Sequence, residues 1–294
     1  MDRNEWLVFM EASRVAARAL PPRTRRAKYS DLLILRMWLW AVEHDRPLSW
    51  ACRRENYTSM YRPRRLPSVS RFSRRLRTMH FLRLRVLLHR VLTAHTRSSQ
   101  LSYLDGKALP VGEHTSDPDA RNGVVTTGRF RIGYKLHARV NRDGFFEEYR
   151  VTALNRGEAK VARQLVRSTP EGGLVLADSN YDSRILYRAV DRHGAQMFTP
   201  VKGIARAAST FRRMPESRKQ AVLLWRTHPE LASWAMKERA TIERVFAHLC
   251  GFGGGLGPLP AWVRRLHRVR LWLDAKIAVY HIRLIARATA HAPS

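Results

Sequence analysis

Three acids stand where regular elements would hold them. Asp105 closes the apolar run Leu101-Ser102-Tyr103-Leu104, Asp178 closes Leu174-Val175-Leu176-Ala177, and Glu243 sits mid-helix in Arg239-Ala240-Thr241-Ile242-Glu243-Arg244-Val245-Phe246. An acid at the end of an apolar strand lies where α/β folds place their ligand crevices. Clustered carboxylates repel, so they need protons or cations between them. Hard oxygen donors select Mg²⁺ or Mn²⁺, and such ions beside a basic surface suit attack on phosphodiesters. Spacing alone leaves the set open. Any one of Asp117, Asp119, Asp182 and Glu238 serves as well on those grounds, and three unrelated surface acids are the plainer alternative. His137, on a strand face, reads as a satisfied strand histidine rather than a ligand.

These acids need a sheet and a helix to position them. Residues 101–105 read as a short strand and 112–129, rich in Gly, Asp, Thr and Ser, as a loop. Residues 132–140 alternate, Asn141-Arg142-Asp143-Gly144 is a hairpin turn signal, and 147–154 is the return strand. Then follow a helix over 157–168, a continuously apolar strand over 174–177, a helix over 182–193 and a strand over 196–200. A basic loop leads to a helix over 231–249. The order β-β-β-α-β-α-β gives a mixed five-stranded sheet flanked by helices, an α+β or α/β core. Ahead of it, residues 1–98 read as all-helical. The strongly apolar stretch 29–44 has Ser30 as N-cap and Pro47 as stop. A short helix over 48–57, a turn over 61–67 and a helix from 68 or 70 past Met79 follow. In that third helix Phe72, Leu76 and Met79 form one stripe and Arg71, Arg74 and Arg75 another, an arrangement like a helix-turn-helix with a DNA-reading face. The glycine-rich stretch 251–257 lacks the Gly-Lys-Ser/Thr ending of a nucleotide loop and reads as a helix stop and hinge. A long amphipathic helix over 262–288, carrying Arg264, Arg265, Arg268 and Arg270, closes the chain. The expected domains are 1–98, helical and DNA-binding; 99–257, catalytic; and 258–294, a basic C-terminal helix.

The 294 residues carry 54 Lys+Arg against 24 Asp+Glu, a formal charge of +30, and 46 of those bases are arginine. With 45% hydrophobic residues the chain can bury a core, which sets disorder aside. Arginine suits bidentate phosphate and base-edge contacts, so nucleic acid is the leading partner. An anionic membrane surface is the competing one, and a GC-rich genome also raises arginine content. The opening Met1-Asp2-Arg3-Asn4-Glu5 fits no secretory signal, and the most apolar run, 32–42, is too short to span a bilayer. Two cysteines, Cys52 and Cys250, argue against a disulfide scaffold or a Cys-rich zinc site and read as buried thiols. The expected setting is cytoplasmic and nucleoid-associated.

Five segments come in a recognisable order: Tyr103-Leu104-Asp105-Gly106, Gly133-Tyr134-Lys135-Leu136-His137, Val151-Thr152-Ala153-Leu154-Asn155, Ala177-Asp178-Ser179-Asn180-Tyr181-Asp182-Ser183, and the Glu243 segment above. Together they resemble the DDE transposases of bacterial insertion sequences, over about residues 100 to 250. Residues 67–76 resemble the basic helix ahead of the core in such proteins. The resemblance implies a ribonuclease-H-like core with Asp105, Asp178 and Glu243 as catalytic triad and ligands of two Mg²⁺ ions, Mn²⁺ substituting. One ion would activate water or the freed 3′-OH and the other would stabilise the leaving oxygen. It further implies double-stranded DNA as partner, at terminal inverted repeats and target, a homodimer in the DNA complex, and no nucleotide cofactor. Some members carry Tyr-x2-Arg-x3-Glu-x6-Lys around the glutamate. Here Arg239 and Glu243 match, which implies that Arg239 grips a phosphate near the cut end, while Met236 and Cys250 replace the Tyr and the Lys. Lys237 and Arg244 are the residues that would compensate. Only 65 residues separate Asp178 from Glu243, so the large inserted β-domain of some relatives does not fit. Two alternatives stand beside this reading: a ribonuclease-H-like nuclease that cuts without joining, and a domesticated DNA-binding protein without catalysis.

Overall fold

In a computed structural model of the chain, the residues described are 1–21, 27–58, 61–94, 100–112, 114–126, 129–204, 210–251 and 259–290. They fall into two units, residues 1–95, 249–255 and 267–294 in the first, and 96–248 with 256–266 in the second.

The first unit is helical. Helix α1, Arg3–Arg18, opens on a capping box in which Asp2 accepts from the Glu5 amide and Glu5 from the Asp2 amide. Helix α2, Asp31–Glu43, is capped by Ser30 and buries Ile34, Leu35 and the whole run from Met37 to Val42. A helix buried on nearly every side must sit inside its unit. The C-terminal helix, Leu266–Ala290, is the same kind of element over residues 275–282, where even Lys276 and His281 are buried. The two are tied together: Trp38 Nε1 donates to Leu271 O at 3.2 Å, Arg283 Nη2 to Glu43 at 2.8 Å, and Lys276 pairs with Asp45 at 2.7 Å. Among the described residues, no helix is long and apolar enough to cross a membrane.

Three helix expectations are corrected here. Residues 48–57 form two 3₁₀ turns, Trp50–Cys52 and Arg54–Asn56. Side chains take the groups a helix would use: Asn56 Nδ2 donates to Trp50 O, Tyr57 Oη to Ala51 O, and Trp40 Nε1 to Asn56 O. The third helix, α3, Val69–Leu76, stops short of Met79. Thr78 caps the next helix, α4, Met79–Thr93, by accepting from the Phe81 amide at 3.2 Å. Met79 is therefore exposed, and the buried stripe of α3 is Phe72 and Leu76. The C-terminal helix starts at Leu266 rather than Trp262, because Arg265 has φ 68° and Arg264 Nη1 donates to Pro260 O at 2.8 Å.

The second unit is built on six strands: β1 Leu101–Pro110, β2 Arg121–Thr126, β3 Arg129–Asn141, β4 Phe146–Ala153, β5 Leu174–Ala177 and β6 Gln196–Phe198. The order is β2-β3-β1-β5-β6, with β4 also on β3. The β1–β5 and β5–β6 pairs are parallel, the others antiparallel. Helices α5, Glu158–Leu165, and α6, Arg184–Asp191, supply Leu165, Leu186, Tyr187 and Val190 to the core that holds Leu104, Val175 and Met197. The sixth strand, β2, lies inside the stretch expected to be a loop. Its sequence has no apolar alternation, and it is held by pairing with β3. At Gly123 an added Cβ would stand 2.8 Å from the Leu154 backbone, so only glycine lets the strand come so close. Strand β1 runs five residues past Asp105 because β3 pairs it as far as Pro110.

Between Asp178 and Glu243 the stretch expected to be a basic loop holds α7, Glu216–Thr227. The helix expected over 231–249 is interrupted once, into α8, Pro229–Glu238, and α9, Ala240–Gly251. The joint is Arg239, where the amide bonds three residues back to Met236 O at 3.2 Å, and Ile242 N to Arg239 O at 3.1 Å. Of the glycine-rich bend, residues 252–257 lie outside the described residues. Cys52 and Cys250 are free thiols, half-buried rather than buried.

Candidate active site

Strand pairing sets the first two acids side by side. Leu104 of β1 is the register partner of Ala177 of β5 in a parallel pair, so Asp105, within β1, and Asp178, just past the end of β5, stand at the same level on adjacent strands. Asp105 Oδ1 accepts from the Gly106 amide at 2.7 Å. Its side chain is only 19% exposed. Burial, with the nearby negative charges of Asp178 and Glu158, pushes its carboxyl up to about 6, against the pull of the Gly106 amide and Arg239. Asp178 opens the 3₁₀ turn Ser179–Tyr181, its Oδ1 accepting from the Asn180 amide at 2.8 Å and its Oδ2 from Asn180 Nδ2 at 3.2 Å.

Glu243 lies in the first turn of α9, whose Ile242, Val245 and Phe246 are buried, with Phe246 on Phe146 of β4. Arg239 joins the acids: its Nη2 donates to Glu243 Oε1 at 2.5 Å and its Nη1 to Asp105 Oδ2 at 3.5 Å. The interruption before α9 therefore places a guanidinium between the first and third acids. Among the described residues, no three of His, Cys, Asp and Glu stand close enough together to hold a metal ion. Asp105 and Asp178 form a pair of hard oxygen donors that fits a divalent cation in type and charge. In this arrangement the cation next to Asp105 and Glu243 is the Arg239 side chain.

Three of the four rival acids are committed elsewhere. Asp182, 1% exposed, accepts from Arg218 Nε at 2.8 Å and from the Lys202 amide at 2.7 Å. Asp117 accepts from Tyr134 Oη at 2.6 Å and the Arg265 amide at 2.9 Å, and Asp119 from the Leu266 amide at 2.9 Å. Glu238 ends α8, one residue before Arg239. His137 is buried, with Nε2 on Thr152 Oγ1 at 3.0 Å, and burial brings it down to about 4, so it is neutral near pH 7. Its Nδ1 has no hydrogen-bond partner among the described residues, so it is satisfied there on one ring nitrogen only.

The basic residues divide as well. Arg71 and Arg74 are exposed on α3, whereas Arg75 Nη2 donates to Asp31 at 2.6 Å and its Nη1 to Tyr29 O at 3.2 Å. Arg244 is exposed, with Nη2 on Thr241 Oγ1 at 2.9 Å. Sequence reasoning gave no role to Lys135, Glu158 or Tyr181, which gather around Gly106. Lys135 and Tyr181 did stand in the segments that carried the resemblance. Lys135, Glu158 and Asn180 also line a groove of about 700 Å³, together with Asn122, Asn155 and Arg156.

Residues 97–261 match the family described as the Transposase DDE domain. A stretch of 161 residues is 30% identical to the transposase for insertion sequence element IS1106 of Neisseria meningitidis serogroup B, covering 54% of this chain and 50% of that protein. The chain thus spans about half the length of that curated relative. In fold it is similar to the piggyBac transposase, solved by cryo-EM in a synaptic complex with hairpin DNA. The TM-score is 0.51 at 9% identity, over 97% of this chain and 75% of that one, a likeness of fold alone. The family match takes in more than half of the sequence, both central strands with Asp105 and Asp178, and the helix with Glu243, and the chain belongs to the DDE transposases.

Proposed function

We propose that this chain is the transposase of an insertion sequence, which binds terminal inverted repeats and cuts and joins DNA at Asp105, Asp178 and Glu243. The observation that carries the reading is the level placement of Asp105 and Asp178 on adjacent central strands, with Arg239 reaching Glu243 and Asp105 from the joint before α9. Asp105 and Asp178 would hold a divalent cation, Mg²⁺ or Mn²⁺, with Glu243 joining them. Bound there, such ions would supply activation of the attacking oxygen and stabilisation of the leaving one. What the chain itself contributes is position and charge. Arg239 is the phosphate grip: a guanidinium that now bridges two carboxylates has the planar donor set to turn to a phosphate. Arg71 and Arg74 of α3, with Arg244 on α9, extend the contacts along the DNA backbone, and residues 1–98 act as the DNA-binding part. Arg75 braces α3 against Asp31. Joining two transposon ends needs two active sites, so a homodimer on the paired ends belongs to the proposal.

The test is strand transfer of a labelled terminal repeat with Mg²⁺. Joined product is expected from the wild type. Asp105→Asn, Asp178→Asn and Glu243→Gln should each abolish cleavage while leaving repeat binding intact, because affinity comes mainly from phosphate contacts. Cleavage by Asp178→Asn would overturn the triad. Cleavage without joining would leave a nuclease, and binding without either a DNA-binding protein.

A further inference from the structure

Side chains from three elements converge over Gly106, the residue after Asp105. A Cβ added there would stand 3.1 Å from Glu158 Oε1, 3.2 Å from Lys135 Cδ and 3.6 Å from Tyr181 Oη. Lys135 Nζ donates to Glu158 Oε1 at 2.7 Å in a pair that is 14% and 18% exposed. Tyr181 is fully buried, and its hydroxyl has no hydrogen-bond partner among the described residues. That hydroxyl lies within electrostatic reach of Glu158, Asp105, Asp178 and Arg239. Buried polar groups without a partner are rare in folded proteins, and each calls for a reason. Packing is not one here: the ring sits in the core with Leu104, Leu165 and Ala177, where phenylalanine would fill the same space. The backbone fixes the ring relative to the acids, since Tyr181 ends the turn that Asp178 opens and its amide donates to Asp178 O at 3.1 Å. A donor is thus locked beside the acid pair and left unused. It is too buried to touch DNA itself.

We infer that Tyr181 is a positioning residue for the acid pair: with a divalent cation bound, its hydroxyl, unused in this structure, would supply the hydrogen bond that orients the Asp105 carboxylate toward the ion, and the Lys135–Glu158 ion pair closes the space over Gly106 beside it. The inference rests on the proposed function, because it gives Asp105 a cation to face. Residues behind a metal ligand that orient it typically govern about 10–100-fold in metal affinity or activity.

The experiment titrates the full chain, without DNA, with Mn²⁺ and reads the free ion by electron paramagnetic resonance. Wild type, Asp105→Asn, Tyr181→Phe and Glu158→Gln are compared, with melting temperatures alongside. Tyr181→Phe should weaken Mn²⁺ binding about tenfold at an unchanged melting temperature, because it removes a hydroxyl that bonds nothing in the fold. Glu158→Gln should weaken it in the same direction by less, and serves alone if the phenylalanine variant does not fold. Cleavage of a labelled repeat by Tyr181→Phe should slow by about the same factor at unchanged DNA affinity. If wild type binds Mn²⁺, Asp105→Asn loses it, and both other variants bind as wild type does, this inference falls and the proposed function stands. If wild type and Asp105→Asn do not differ in Mn²⁺ binding, both fall.

Discussion

Asp105 shows what its place costs the fold. Its carboxyl is raised from 3.8 to about 6, chiefly by burial. Between those values the folded chain holds a proton that the unfolded chain has lost, so stability falls as pH rises through the window. A shift of that size corresponds to about 3 kcal/mol at pH 7. Asp105→Asn, neutral at every pH, should therefore unfold at higher urea than wild type at pH 7 by about 2–3 kcal/mol, with the gap closing toward pH 4. Equal stability at pH 7 would mean that the carboxylate is solvated. Arg239 makes the complementary case. Its bond to Glu243, whose side chain is 57% exposed, contributes little to stability. Arg239→Lys should thus keep the melting temperature and repeat binding while cutting strand joining by at least about tenfold, since an ammonium lacks the bidentate fork. A variant that joins at the normal rate would remove Arg239 from the site. Asp105 and Asp178 were legible in the sequence because an acid ending an apolar run is a pattern. Tyr181 and Lys135 were not given roles, because their relation to Asp105 passes through the empty side of Gly106, which no spacing encodes.

At the scale of elements, the legible parts are those whose own composition decides them. Leu174–Ala177, apolar throughout, forms its strand with the bounds the sequence implied, and Ser30 caps α2. What escaped was decided by partners distant in the chain. Strand β2 exists because β3 extends to meet it, and the 3₁₀ turns after α2 exist because Asn56, Tyr57 and Trp40 take their backbone groups. Helix α7 escaped in the same way. It docks through Arg218 on the buried Asp182, and Asp191 accepts from the Glu216 and Ser217 amides at its start. Asp182 is thus a fold residue, although it stands four places after Asp178 and is the same amino acid. Removing one partner of a buried pair leaves the other charge uncompensated, at roughly 3–5 kcal/mol. Asp182→Asn should lower the unfolding free energy by about 3 kcal/mol, with cleavage falling only in step with the folded fraction. Loss of cleavage at full stability would instead put Asp182 in the active site.

For the whole molecule the decisive quantity is the +30 charge, and the sequence could not say which arginines are spent inside the fold. Arg75, Arg139, Arg218 and Arg283 are each paired with a carboxylate. Arg71 and Arg74 stand exposed on α3, beside a shallow concavity lined by Ala27, Lys28 and Tyr29. The sequence grouped all three α3 arginines as one face, and the structure separates them by partner. On a duplex, each phosphate deprived of its arginine lowers the slope of log affinity against log salt by about one. Arg71→Ala with Arg74→Ala should therefore weaken binding to the terminal repeat and flatten that slope by about two, at an unchanged melting temperature. Arg75→Ala should do the reverse. It removes the ion pair that holds α3 to Asp31 and should lower the melting temperature while the slope of the remaining folded protein stays where it was. Binding measured from about 50 to 200 mM salt gives both slopes. If the double variant keeps the wild-type slope, α3 is an ordinary bundle helix, and the DNA contacts must be sought among the other exposed arginines.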